Sequence, residues 1–183
     1  AIQDGLVYQG LSREQARRQM FVLDAAGLVV EGVSAQGYQL AVSQFVATYA
    51  DWSLQGEIPS LLEVIEQAHP TVLLGLTGVA GLFNEPLVRR MAANTERPII
   101  FPLSNPTANS EAIPQDLIAW SDGRAIAATG SPFADVGYLG QRYPVGQGNN
   151  AFVFPGIGFA AVVGRCRRIS DAMILESAFA LAA

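Results

Sequence analysis

The chain has 183 residues, of which 50% are hydrophobic and 15% are charged, so its composition excludes an intrinsically disordered protein. No apolar run reaches the roughly 20 residues that span a bilayer, and the net charge of −5 offers no basic surface for nucleic acid or an anionic membrane. These limits predict a globular domain whose partner is a small molecule, with no nucleic acid and no membrane involved.

The cysteine and lysine content limits both the cellular location and the chemistry. Cys166 is the only cysteine, so no internal disulfide bond can form, and the N-terminus lacks the charged start and apolar core of a signal peptide. We therefore expect a cytoplasmic protein. All 11 residues counted as lysine or arginine are arginines, so a mechanism that needs a lysine must take it from another polypeptide.

The first predicted elements are a helix and a short strand. Residues 11–19 predict an amphipathic helix, with Ser12 as N-cap and Gln15 in the capping-box position. Residues 20–24 (MFVLD) are short and apolar, and they predict a buried parallel strand that ends at Asp24. Residues 33–59 have no clean period, so no element is predicted there.

From residue 59 onward, helices and strands alternate. The predicted strands are 70–76, 97–103 and 124–130, and the predicted helices are 59–69, 84–94, 114–121 and the chain from 155 to the end. This alternation predicts an α/β fold, Rossmann-like, with a mostly parallel sheet and helices on both faces. We expect residues 1–183 to form a single, partial domain of this kind.

Small or polar residues follow every predicted strand. Asp24 ends the first, and TGVAGLF (77–83), SNPT (104–107) and GSPF (130–133) follow the others. Any one of these stretches can be a simple turn. Because ligands of parallel sheets bind beyond the carboxyl ends of the strands, the four stretches together predict a ligand site at that edge.

Asp24 bears on the choice of cofactor. An acidic residue that closes the second strand of a dinucleotide-binding unit accepts hydrogen bonds from ribose hydroxyls and repels a 2′-phosphate, so Asp24 favours NAD over NADP. The alternative is that Asp24 only caps the turn at 25–27. The expected G-x-G-x-x-G motif does not precede Asp24, and the glycines of 75–81 follow a later strand with the wrong spacing. The fold is therefore expected to lack its first strand and its glycine-rich loop.

Several long motifs, in order, resemble the C-terminal NAD-binding domain of malic enzymes. They are LDAAGLV (23–29), ERPIIFPLSNPT (96–107), ATGSPF (128–133), GQGNNAFVFPGIG (146–158) and ISDAMILESA (169–178). The resemblance covers nearly the whole chain and is weakest between residues 33 and 59. Malic enzymes oxidise malate with NAD or NADP and a divalent metal ion, Mg²⁺ or Mn²⁺, and release carbon dioxide to leave pyruvate.

The resemblance implies roles for individual residues at the strand ends. Neutral amides can donate to a carboxylate without adding charge, and the implied substrate contacts are Asn105, Asn149 and Asn150. The implied cofactor contacts are Asp24, Leu76, Thr77, Gly78, Ser104 and Asn105. An alternative for one member of the Asn149–Asn150 pair is N-capping of the helix that follows.

The resemblance assigns no catalytic residue and no metal ligand to this chain. The tyrosine acid, the lysine base and the three acidic metal ligands of malic enzymes all lie in segments N-terminal to the start of this chain, which is therefore expected to be inactive alone. The full-length enzyme is expected to be a homo-oligomer. Two alternatives stay open, namely a malolactic enzyme that makes lactate from malate, and a nucleotide-binding module without catalytic activity.

Overall fold

In the computed structural model, residues 2–182 are described, and they form both helices and strands. The α-helices are Ile2–Tyr8 (α1), Arg13–Arg18 (α2), Leu61–Ala68 (α3), Glu85–Asn94 (α4), Pro114–Trp120 (α5), Phe154–Val163 (α6) and Asp171–Ala182 (α7). The strands are Leu23–Asp24 (β1), Gly27–Leu28 (β2), Val72–Gly75 (β3), Ile99–Pro102 (β4), Ile126–Thr129 (β5), Val136–Tyr138 (β6), Gln141–Tyr143 (β7) and Gly146–Gln147 (β8). Short 3-10 helices occur at Gly37–Gln39, Val46–Thr48, Thr107–Asn109 and Asn150–Phe152.

The chain divides into two compact units. The sheet unit consists of Leu23–Leu28 and Tyr49–Asn149, and it contains all the strands together with α3, α4 and α5. The helical unit consists of the chain up to Val22, Val29–Thr48 and the chain from Asn150 onward, and it contains α1, α2, α6 and α7. The single domain expected over residues 1–183 stays a prediction.

A four-stranded parallel sheet is the centre of the sheet unit. Its strand order is β3-β4-β5-β8, and every neighbouring pair is parallel. Because α4 connects β3 to β4 and α5 connects β4 to β5, this is the strand-helix-strand arrangement expected from the sequence. The prediction of an α/β fold with a parallel sheet flanked by helices is confirmed.

The apolar core lies between one face of this sheet and the helices. Leu73, Ile100 and Ala127 occupy that face on adjacent strands and are buried against residues of α3, α4 and α5. Side chains on the opposite face alternate with them, and Val72 and Ile126 on that face remain 45% and 39% exposed. The buried helices therefore hold the sheet from one side.

Local sequence signals explain where the helices begin. Ser12 and Ser60 each accept a backbone N–H of the first helical turn and complete a capping box, with Gln15 and Glu63 respectively. Asn84 caps α4 by accepting the N–H of Leu87. The helices predicted to begin at residues 11, 59 and 84 are therefore confirmed to within two residues.

The prediction of a buried parallel strand at 20–24 is wrong. Only Leu23 and Asp24 are extended, and they pair antiparallel with Gly27 and Leu28. Gly27 has a positive φ of 111°, and a Cβ added there would lie 2.7 Å from Pro59 O, so a glycine is needed for the chain to reverse at this point. The reversal makes a two-residue hairpin in place of a strand of the main sheet.

In the helical unit, α6 and α7 are strongly apolar but bury no residue. Phe154, Phe159 and Val162 of α6 are all exposed. Among residues 2–182, no helix is both long enough and apolar enough to cross a membrane.

Candidate functional site

Two loops begin where the parallel strands end. Residues 76–83, which follow β3, are called the β3 loop, and residues 103–106, which follow β4, are called the β4 loop. Leu103 N donates to Gly75 O at 2.9 Å, so the ladder between the strands continues to the point where both loops start. The loops therefore leave the same edge of the sheet side by side.

A buried carboxylate joins the two loops. Thr77 donates to Oε1 of Glu111 through its backbone N–H at 2.7 Å and through its hydroxyl at 2.8 Å. The Ser104 hydroxyl donates to the same oxygen at 2.6 Å, and Ser104 N–H lies 3.4 Å from Oε2. Ser104 Oγ in turn accepts the N–H of Gly78 at 2.9 Å. Four donors from the β3 and β4 loops thus converge on one carboxylate.

The hydrogen bonds keep Glu111 ionised although it is fully buried. Burial alone would raise the pKa of this carboxyl, but hydrogen bonds from Ser104, from Thr77 and from its own backbone amide outweigh burial and hold the pKa below its ordinary value of 4.5. Gly75 provides the space for the carboxylate, since a Cβ there would lie 2.6 Å from Cδ of Glu111. A side chain at position 75 is therefore incompatible with this arrangement.

The Asn105 amide lies beside the end of β5. Its Nδ2 donates to Leu103 O at 3.3 Å, and its Oδ1 accepts the Ser131 hydroxyl at 2.6 Å. Gly130 is packed so closely that an added Cβ would lie 2.1 Å from Leu103 O and 2.8 Å from Asn105 Nδ2. Nδ2 carries two hydrogens, and the bond to Leu103 uses one of them. The exposed Asn105 side chain therefore retains a hydrogen for a ligand.

Asn149 reaches the same strand end from β8. Its Nδ2 donates to Gly130 O at 3.0 Å, and Gln147 Nε2 lies 3.4 Å from the same oxygen. Gly148 N donates to Thr129 O at 2.9 Å, which keeps this segment beside β5. The structure thus brings Asn105 and Asn149, both predicted substrate contacts, to Gly130.

The outer side of the β3 loop is open. The amide N–H groups of Thr77 and Gly78 point inward, to Glu111 and Ser104. Gly78 has a φ of 70° and an added Cβ there would meet nothing within 4 Å, while Leu76 is 75% exposed. A ligand at this loop would contact an apolar side chain and bare backbone, a surface that suits the flat face of a ring.

Asp24 lies in the hairpin turn of the sheet unit. Its Oδ1 accepts the N–H of Ala26 at 2.9 Å, which is the turn-capping geometry named as the alternative to cofactor binding. The side chain is exposed, so capping and ligand binding are compatible. Its role with the cofactor stays a prediction.

Asn150 belongs to the helical unit and opens the 3-10 helix that precedes α6. Its backbone oxygen accepts the N–H of Val153 at 3.0 Å, and its side chain is exposed. The N-cap residue of α6 is Val153, which makes no side-chain capping bond. Neither asparagine is therefore the N-cap of α6 itself, and a substrate contact by Asn150 stays a prediction.

Sequence reasoning missed Glu111, and it included Ser131 only as part of the strand-end stretch GSPF, without a role of its own. Glu111 does not follow a strand, so a search of the strand ends passes over it. The available signal was a single carboxylate, Glu111, next to the apolar pair Ala112–Ile113. A charged residue is rarely buried unless its hydrogen bonds are satisfied, so a buried Glu111 would imply donors gathered around it.

Comparison with known proteins identifies the family. Residues 1–183 match the family model described as malic enzyme, NAD binding domain. The chain belongs to this family. The resemblance inferred from the motifs is confirmed, and so is NAD as the cofactor of the family to which the chain belongs.

The matching relatives are longer than this chain. The NAD-dependent malic enzyme of Idiomarina loihiensis is 46% identical over 175 residues, which cover 95% of this chain and 31% of that protein. The enzyme of the same name from Aeromonas hydrophila is 47% identical over 175 residues, with the same shares covered. NAD-dependent malic enzyme 2 of Vibrio vulnificus is 42% identical over 185 residues, covering 100% of this chain and 33% of that protein. The chain thus spans about a third of the length of these relatives.

Proposed function

We propose that this chain is the NAD-binding part of a malic enzyme that converts malate to pyruvate and carbon dioxide with NAD and a divalent metal ion, Mg²⁺ or Mn²⁺. The observation that carries the proposal is the meeting of Asn105, Ser131 and Asn149 around Gly130, beside the open β3 loop. The names of the relatives, NAD-dependent malic enzymes, support it.

NAD supplies the hydride acceptor for malate oxidation when it is bound. The residues proposed to hold it are Asp24, Leu76, Thr77, Gly78, Ser104 and Asn105. The open surface at Gly78 and the exposed Leu76 fit a flat ring, and the inward hydrogen bonds of Thr77 and Gly78 keep that surface in one conformation. Asp24 is proposed to accept the ribose hydroxyls, and this role favours NAD over NADP.

Asn105, Asn149 and Asn150 are proposed to orient malate. A neutral amide donates to a carboxylate oxygen without adding a formal charge, so it holds a dianion while the charge changes during the reaction. The bonds of Asn105 to Leu103 and Ser131 restrict the direction in which its amide points. Such restriction lowers the entropy cost of orienting the substrate.

The proposal places acid, base and metal ligands outside these residues. Among residues 2–182, no three His, Cys, Asp or Glu side chains lie close enough together to hold a metal ion. The sequence contains no lysine that could serve as a base. The proposal assigns no proton transfer and no metal coordination to this chain.

Product analysis tests the proposed reaction in the complete polypeptide that carries this chain. With malate, NAD and Mn²⁺, we expect equal amounts of NADH and pyruvate, and no turnover from the 183-residue chain alone because it has no lysine. Lactate without net NADH would identify the malolactic reaction instead. Binding of NAD with neither product would identify a nucleotide-binding module, and turnover by the chain alone would contradict the placement of the base elsewhere.

We also infer a cytoplasmic protein that assembles as a homo-oligomer. The single cysteine, Cys166, is free and exposed, which suits a reducing compartment. Exposed apolar residues on α6, among them Phe159 and Val162, are typical of a surface covered by other protein. Light scattering on the complete polypeptide tests the assembly, and a monomer at micromolar concentration would contradict it.

A further inference from the structure

Glu111 is a buried charge that the proposed reaction leaves unexplained. It is fully buried and has no ion-pair partner among residues 2–182. Hydrogen bonds from Thr77 and Ser104 provide its stabilisation instead. An isolated buried charge is costly, so a carboxylate retained at this point needs a reason beyond filling space.

The carboxylate determines which way each loop hydroxyl points. A carboxylate only accepts, so Thr77 Oγ1 and Ser104 Oγ must both turn their hydrogens toward Glu111. Their lone pairs then face outward, where Thr77 Oγ1 accepts the N–H of Val79 at 3.1 Å and Ser104 Oγ accepts that of Gly78. The charge therefore orders three successive residues of the β3 loop, Thr77, Gly78 and Val79.

Glu111 is itself held by the backbone. Phe83 N donates to Glu111 O at 2.9 Å, and Gly81 N donates to Ser110 O at 3.2 Å. The side chain thus spans from the far end of the β3 loop back to its start at Thr77, and the β4 loop joins at Ser104. Glu111 thus connects both ends of the β3 loop with the start of the β4 loop.

We propose that Glu111 is a positioning residue, whose buried carboxylate holds the β3 and β4 loops in the conformation that binds the nicotinamide dinucleotide. It acts through Thr77 and Ser104 and touches neither cofactor nor substrate. The proposal rests on the function proposed above, because it concerns the same edge of the sheet.

Glu111→Gln in the complete polypeptide tests the positioning role. The variant keeps the size of the side chain but replaces one carboxylate oxygen by an NH2 group, which cannot accept the hydrogen bonds that Thr77 and Ser104 donate. We expect the Kd and the KM for NAD to rise about tenfold, the usual effect of losing one charge-assisted hydrogen bond. Amide exchange of Thr77 and Gly78 should accelerate about tenfold or more. The Thr77 N–H loses its carboxylate acceptor, and the Ser104 hydroxyl that accepts the Gly78 N–H loses the carboxylate that orients it.

Glu63→Gln is the matched control in the same unit. Glu63 is also buried, and its carboxylate accepts three hydrogen bonds, from Gln55 N, Ser60 N and Ser60 Oγ. We expect this variant to lose thermal stability to a similar degree and to accelerate the exchange of Gln55 and Ser60 alone. Its KM for NAD should stay within about twofold of the unmodified value.

Equal KM values for NAD in the two variants, despite equal losses of stability, would overturn the positioning role. If Glu111→Gln does not fold, Ser104→Ala is the second variant, because it keeps the carboxylate and removes its link to Gly78. An unchanged KM for NAD in Ser104→Ala would again overturn the positioning role. An unmodified protein that binds no NAD would overturn the proposed function. Exchange at Thr77 and Gly78 would still decide whether Glu111 holds the loops, since that measurement needs no ligand.

Discussion

The Asn105 side chain uses both ends of its amide inside the protein. Oδ1 accepts the Ser131 hydroxyl and Nδ2 donates to Leu103 O, which leaves one N–H directed away from these partners. An amide held in this way supports the fold, and we propose that it also contacts the substrate. Removing it should therefore affect both stability and malate turnover.

We predict that Asn105→Ala lowers kcat/KM for malate about ten- to a hundredfold, because one hydrogen bond to a charged substrate is lost. It should also cost about 1 kcal/mol of stability through the lost bonds to Ser131 and Leu103. Ser131→Ala removes the Ser131–Asn105 bond and leaves the amide with its bond to Leu103, so it should cost part of that stability, with a much smaller kinetic loss. Similar malate kinetics in the two variants would make Asn105 a structural residue only.

Asp24 gives a second prediction, on cofactor choice. Asp24→Asn removes the charge and keeps the Oδ1 that accepts the Ala26 N–H, so the hairpin should survive. We expect the preference for NAD over NADP to fall about tenfold, since the repulsion of a 2′-phosphate disappears. The ratio of kcat/KM for the two cofactors measures this. An unmodified enzyme that uses both cofactors equally would contradict the assignment.

Residues at strand ends were predictable, and those between elements were not. Thr77, Ser104 and Asn105 follow short apolar runs, and a parallel sheet brings such ends together whatever else the chain does. Glu111 comes to the same place only because its backbone pairs with Phe83, a contact with no local sequence pattern. The motif predicted that Asn149 belongs to the site. Its hydrogen bond to Gly130 O could not be predicted, because that bond depends on the pairing of β8 with β5.

At the scale of elements, the apolar runs at 70–76, 97–103 and 124–130 each contain an observed strand, and the run at 20–24 is the exception. Helix starts are marked by hydrogen bonds made within a few residues, between Ser60 and Glu63 and from Leu87 N to Asn84 Oδ1, so tertiary context matters little. The run at 20–24 carries no information about its partner. The turn before Gly27 reverses the chain, so Leu23 and Asp24 pair with the residues that follow the turn and not with a strand of the main sheet.

Gly75 tests the link between the end of β3 and the loops. We predict that Gly75→Ala destabilises the chain by about 1–3 kcal/mol and weakens NAD binding, because the new methyl group would overlap the Glu111 carboxylate. Gly137→Ala in β6 is the control, since a Cβ there meets nothing within 4 Å. A Gly75→Ala/Glu111→Ala double variant should lose less than the sum of the two single losses. Additive losses would show that the two positions do not interact.

At the scale of the whole molecule, two buried carboxylates link folding to pH. Hydrogen bonds from Ser60 and Gln55 lower the pKa of Glu63 below its ordinary value of 4.5, and the pKa of Glu111 is lowered in the same direction. As pH falls, the unfolded chain therefore takes up these protons before the folded chain does. The contribution to stability is complete above pH 4.5 and is lost as pH falls through the folded pKa values.

We predict that, near neutral pH, these two carboxyls cause no change with pH in the free energy of unfolding of the 183-residue chain, and that this free energy falls steeply below pH 4.5. Each carboxyl contributes at most about 1.4 kcal/mol per pH unit to that slope. The Glu63→Gln/Glu111→Gln double variant should be less stable at pH 7 and should lose stability less steeply on acidification, because neither position can take up a proton. Denaturant titrations at several pH values between 3 and 7 measure both slopes. Parallel pH profiles for the two proteins would mean that neither carboxylate is preferentially ionised in the folded state, and the account of Glu111 as a buried anion would be wrong.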